Sequence, residues 1–141
     1  MTLLALVLAA IDNVLRPVKL LGTRAESTAR ADLVPMLAWL AAHPLPERAI
    51  VFCHDCDVLA NRLRLRAVHT RGFDGHDQVV LAEQIDRRGI THALLTWQDK
   101  PVMESRNREM DALQRALAPR ARVVHETHGE RARAVLLEIV R

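Results

Sequence analysis

Three features of the chain predict an α/β fold. Short apolar runs alternate with helix-period segments between residues 49 and 118, turn or capping residues punctuate that alternation, and two further apolar runs flank a glycine near the C-terminus. Alternation of this kind implies right-handed crossovers and parallel strands, so the expected architecture is a small three-layer, Rossmann-like sandwich ending in an antiparallel hairpin. A chain of 141 residues with 50% hydrophobic content is the size of one domain and can bury a core.

Each element has its own warrant. Leu33, Met36, Leu37 and Leu40 recur at helical spacing, Pro35 suits a first turn, and His43-Pro44-Leu45-Pro46 ends the pattern, which predicts a helix over 31–42. The apolar run 49–52 has the character of a strand buried on both faces. Asp55 or Asp57 can cap a helix carrying Val58, Leu59, Leu63 and Leu65, and 67–70 reads as the second strand, followed by a turn over 71–75.

Asp77 precedes a helix with Val80, Leu81 and Ile85 on one side, and Gly89 stands where a left-handed C-terminal cap belongs. The third strand is expected over 93–97. A helix marked by Met110, Leu113 and Leu117 ends before Pro119, and runs at 122–126 and 134–140 form the hairpin, with Gly129 available to its turn.

Before this domain lie an apolar stretch, 1–21, and a polar linker, 22–30. The uninterrupted run from Leu3 to Ile11 lacks the basic start and small-residue cleavage site of a signal peptide, and it is about half the ~20 residues a bilayer-crossing helix needs.

Composition narrows the function. The charge of +3 arises from 20 basic and 17 acidic residues, the acidic ones interspersed through the second half, so a polyanion is not an expected partner. Trp39, Trp97, Phe52 and Phe73 are the only aromatics, too few to build stacking platforms for bases or sugars.

Chemistry concentrates at Cys53-His54-Asp55-Cys56-Asp57, where the first strand passes to a helix. At the carboxyl edge of a parallel strand, side chains and helix amides converge on one crevice, and a helix start lowers a thiol pKa. Gln98-Asp99-Lys100 follows the third strand and faces the same side of the sheet. The candidate ligand-binding residues are therefore His54, Asp55, Asp57, Gln98 and Asp99, with Cys53 and Cys56 as weak candidates for metal or thiol chemistry.

Several chemistries lack their motifs. A zinc site built on the two cysteines and His54 needs a fourth ligand from outside the segment, and a thioredoxin-like reading lacks its proline before a later strand. Arg-Gly-Phe-Asp-Gly-His at 71–76 has no phosphate-cradling spacing, and Ser27 and Ser105, the only serines, sit in no nucleophile elbow. Arg62, Arg64 and Arg66, like Arg106 and Arg108, read as solvated faces with local charge pairing, and the scattered histidines, among them His125 and His128, as solvated residues. No catalytic residue and no cofactor are expected.

The helix Leu37-Ala38-Trp39-Leu40-Ala41-Ala42-His43, leading through Pro44 and Pro46 into Ala49-Ile50-Val51-Phe52, resembles the soluble C-terminal region of polytopic GT-C-type glycosyltransferases. That group includes the protein mannosyltransferases and the lipid A aminoarabinose transferases. The strand entry Asp86-Arg87-Arg88-Gly89-Ile90-Thr91-His92-Ala93-Leu94-Leu95, followed by Val123-Val124-His125-Glu126 and Ala134-Val135-Leu136-Leu137, is similar to the same region in element order.

The resemblance implies that Leu3 to Ile11 is the remnant of a last transmembrane helix and that the linker is juxtamembrane. It also implies that the domain lies on the extracytoplasmic face, with a membrane-embedded transferase region or the membrane surface as partner. The family's catalytic acid lies in its membrane region, so no catalytic residue carries over. The expected role is a non-catalytic accessory domain that supports packing or acceptor binding. The alternative is a free-standing, otherwise cytoplasmic α/β binding domain or thiol or metal enzyme using the Cys53 to Asp57 segment. Arg48-Ala49-Ile50-Val51-Phe52-Cys53 also resembles the opening strand of a helicase C-terminal lobe, without the arginine-finger motif that should follow.

Overall fold

The structure, a computed structural model, describes residues 33–141 except 55, 72 and 74. The apolar stretch 1–21, the linker 22–30, the first two residues of the helix expected from residue 31, Asp55, and Gly72 and Asp74 of the expected turn lie outside the described residues.

The elements are α1 (Val34–Ala42), β1 (Ile50–Cys53), α2 (Cys56–Leu63), β2 (Arg66–His69), α3 (Gln78–Arg88), β3 (His92–Gln98), α4 (Glu104–Leu117), β4 (Ala121–His128) and β5 (Ala132–Ile139). Short 3-10 turns, Pro101–Met103 and Ala118–Arg120, bracket α4. The strands form one sheet in the order β2-β1-β3-β5-β4, with β1 parallel to β2 and β3, and β5 antiparallel to β3 and β4. The α/β class and the C-terminal hairpin are as the sequence predicts. The hairpin does not simply extend the sheet in chain order, because β5 turns back between β3 and β4.

Side-chain alternation along the strands produces the layers. Val51, Cys53, Leu94, Ala134 and Leu136 pack under α1 and α2 with Met36, Leu37 and Leu59. Their neighbours Phe52, Ala93, Leu95, Val135 and Leu137 pack under α3 and α4 with Ile85, Met110 and Leu113. Helices therefore cover both faces, as right-handed crossovers running in opposite directions from β1 require.

Element ends differ from expectation for local reasons. Ala49 donates its N–H to the Pro46 carbonyl at 2.8 Å, so β1 begins one residue later than the apolar run. Asp57 lies within the first turn of α2 rather than capping it, and that helix stops at Leu63 because Arg64 takes a left-handed conformation with φ 52°.

At α3 the expected caps are present. Asp77 accepts the N–H groups of Val79 and Val80, and Gly89, with φ 64° and ψ 30°, closes the helix while the Ile90 N–H reaches the Ile85 carbonyl. The hairpin strands run longer than the apolar patches that announce them, with a bulge between Val123 and His125.

Candidate functional site at the carboxyl edge

From β1 the chain crosses to β2 on one side and then, through α3, to β3 on the other. The point where an open α/β sheet reverses its winding therefore lies between the carboxyl ends of β1 and β3, the usual place for a ligand crevice.

Cys53 ends β1 and Cys56 opens α2, and the two are joined in a disulfide with Cα atoms 5.5 Å apart. Cys53 is buried and Cys56 half-buried. With the bond formed neither sulfur carries a hydrogen, so the 2.8 Å approach of Cys56 Sγ to the Cys53 carbonyl oxygen is a contact that becomes a hydrogen bond on reduction. In this state the pair offers neither a nucleophilic thiolate nor a metal-binding thiolate.

His54 leaves β1 beside the end of β2, its ring 5.0 Å from that of His69 at an interplanar angle of 53°. The His69 Nδ1 accepts the Arg71 N–H at 2.8 Å, which places the proton of the neutral ring on Nε2. Thr70, almost fully buried, continues from β2 by donating its N–H to the Cys53 carbonyl at 3.0 Å. Asp57 is exposed on the first turn of α2, where its charge suits the helix N-terminus.

The residues proposed after β3 form a separate group. Cys53 pairs with Leu94, so Gln98 lies four residues further along β3, about 13 Å at ~3.3 Å per residue. Gln98 and Asp99 therefore overshoot the end of β1, and Thr96 is closer to the level of His54. The sheet does not bring Gln98 and Asp99 together with the Cys53 to Asp57 segment.

What gathers at the end of β3 comes from α4. Asn107 clamps the Gln98 backbone, its Oδ1 accepting the Gln98 N–H at 3.2 Å and its Nδ2 donating to the Gln98 carbonyl at 2.7 Å. Trp97 Nε1 donates to Asp111 Oδ1 at 2.9 Å, and Arg106 donates to the Thr96 hydroxyl. The expectation that Arg106 belongs to a solvated face with local charge pairing is corrected: burial of Thr96 beyond the end of β1 leaves a hydroxyl that a long side chain from α4 reaches.

An open cleft of about 310 Å³ lies beside this group, lined in part by Gln98, Asp99, Asn107 and Arg131. On its wall the Arg133 guanidinium sits 4.6 Å above the Trp97 ring, and its Nε donates to Glu126 Oε1 at 2.6 Å. That bond holds the Glu126 carboxyl below its usual pKa. Among the described residues no group of three or more His, Cys, Asp or Glu side chains is arranged to hold a metal ion, and no helix is long and apolar enough to cross a membrane.

The partners that sequence reasoning missed are His69, Thr96, Arg106 and Asn107. Asn107 and Arg106 lie in the first turn of α4, and only the packing of that helix on β3 gives them their roles. No family profile, curated protein or solved structure matches the chain.

Proposed function

We propose that residues 31–141 form a non-catalytic accessory domain of a membrane glycosyltransferase-like protein, on the extracytoplasmic side, supporting packing or acceptor binding by a membrane-embedded region. The observation that carries this reading is the state of the crevice. Beside the place where an α/β sheet ordinarily binds its ligand, the Thr96 hydroxyl and the Gln98 backbone are engaged by α4, and the two sulfurs at the end of β1 are engaged with each other. The order of elements that carries the resemblance, ending in an antiparallel hairpin, is consistent with it. A disulfide supports the oxidising compartment that the reading requires.

Sequencing the DNA upstream of the Met1 codon tests the proposal. A reading frame that stays open through several apolar helices is the expected result, and an early in-frame stop would overturn the reading as a transferase tail. Acid-quenched thiol labelling in intact cells tests the compartment: Cys53 and Cys56 are expected to resist the label unless a reductant is added first.

A second reading is favoured by one observation, the position of the Cys53–Cys56 disulfide at a helix start. There it could accept two electrons and two protons from an external dithiol, attacked at the less buried Cys56. Catalysis of dithiol-driven disulfide reduction by the purified chain would favour this reading over the first.

A further inference from the structure

Four arginines that are separated along the chain meet at one edge of the sheet. At the amino edge of the sheet, opposite the crevice, two adjacent clefts share Pro46. The first, about 430 Å³, lies between the ends of α1 and α2; Leu45, Leu63 and Leu65 contribute its apolar wall, with Arg62, Arg64 and Glu47 alongside. The second, about 330 Å³, lies where β1 and β3 begin and β5 ends; Ala49 and Ile139 contribute its apolar part, with Arg48, Arg141 and Glu138 alongside.

The fold explains the concentration of charge. The turn before β1 supplies Arg48, the last turn of α2 supplies Arg62 and the connection that follows it Arg64, and the residues after β5 supply Arg141, so separate parts of the chain return cations to one edge. Arg48, Arg64 and Arg141 are exposed there. Of the two acids, Glu138 is already engaged by Arg122, whose Nε donates to it at 2.6 Å.

Arginine forks beside apolar clefts match a surface that presents phosphate next to hydrocarbon. A nucleic acid would instead call for stacking rings, and no Phe or Trp lines either cleft. We propose that the amino edge docks on an anionic phospholipid surface. Lipid phosphates sit on Arg48, Arg64 and Arg141, and glycerol and upper acyl carbons lie against the apolar parts of the two clefts.

The proposal rests on the membrane-protein reading for what brings the domain to a bilayer. Residues 22–32 can reach at most about 36 Å at ~3.3 Å per residue, against about 14 Å for the length of α1. A tether entering at the start of α1 therefore does not hold the amino edge away from the bilayer.

Co-sedimentation of the full chain with vesicles tests the docking, comparing phosphatidylglycerol mixed with phosphatidylcholine against phosphatidylcholine alone, with duplex DNA as a third ligand in the same buffer. Binding at least about tenfold stronger to the anionic vesicles is expected. Arg48→Gln, Arg64→Gln and Arg141→Gln combined should weaken it about a hundredfold, from about fivefold per arginine, while circular dichroism confirms that the variant is folded. The corresponding three lysine substitutions should retain most of the binding. Equal affinity for both vesicle types, an unaffected glutamine variant, or binding to DNA without binding to vesicles would each overturn the proposal. Loss of vesicle binding alongside an open upstream reading frame would remove this docking face and leave the transferase-tail reading standing.

Discussion

Trp39 and His125 stack face to face, with ring centroids 4.2 Å apart and 7° between their planes. The other face of Trp39 is covered by His43 at 4.5 Å and 13°, and the His43 Nδ1 lies 3.0 Å from the Trp39 carbonyl oxygen. This His-Trp-His stack ties α1 to the edge strand β4, across the sheet from β1, which α1 precedes in the chain.

Truncating His125 to alanine should therefore weaken the docking of α1. Aromatic stacking contributes about 0.5–1.5 kcal/mol beyond buried area, and His125→Ala is expected to cost about 1 kcal/mol in a urea titration. A neutral effect would mean that α1 is held by Met36, Leu37 and Leu40 alone.

The same stack shows what the sequence could and could not reveal. The elements were legible because each is a local pattern: Asp77 and Gly89 mark the ends of α3 through their own backbone preferences, and the strands are apolar runs. The stack was not, because Trp39 and His125 are distant in the chain and a lone histidine on a strand reads as solvated. The candidate site was legible only in half. The turn from β1 to α2 announces itself through its cysteines, whereas the register that carries Gln98 past the end of β1, and the Asn107 clamp, depend on how β3 aligns with its neighbours and how α4 lies on it.

The half-buried Asn107 clamp should contribute measurably to stability. It satisfies both an N–H and a C=O of Gln98, a residue that is almost fully buried. Net contributions of about 1 kcal/mol per bond give an expected loss of about 2 kcal/mol for Asn107→Ala. Hydrogen exchange at the Gln98 amide should accelerate in that variant, and unchanged protection would show that the clamp is dispensable.

Reduction of the Cys53–Cys56 disulfide should destabilise the domain only modestly. The closed loop is short, so loop-closure entropy supplies about 2 kcal/mol, and on reduction the Cys56 thiol finds the Cys53 carbonyl 2.8 Å away as an acceptor. Urea midpoints with and without a phosphine reductant measure this directly. A collapse of folding on reduction would mean that the bond holds more than its own turn.

The helix caps allow a paired test of local structure against packing. Asp77→Ala removes the acceptor for two amides at the start of α3, with an expected cost of about 1 kcal/mol. At Gly89 an added Cβ meets only the end of the Ile50 side chain at an ordinary 3.8 Å, so the expected cost of Gly89→Ala, about 1–2 kcal/mol, is backbone strain alone. The two sites lie at opposite ends of the helix and share no partner, so their effects in the double variant should add.

Acid should destabilise the domain in two separable steps. Burial lowers the pKa of His92 from 6.5, opposed by the nearby Glu138 carboxylate. The unfolded chain therefore takes up this proton before the native state does, and stability falls as pH drops below about 6.5, levelling once the native ring also protonates. Glu126 is lowered from 4.5, chiefly by its hydrogen bond from Arg133, so the stability it contributes is present above that value and is lost as pH falls through the lowered native pKa. Urea midpoints measured from pH 8 to pH 3 should decline in both windows. His92→Gln should flatten the upper decline and leave the lower one, and Glu126→Gln should do the reverse. A His92→Gln profile that still falls between pH 6.5 and 5 would assign the upper step to another histidine.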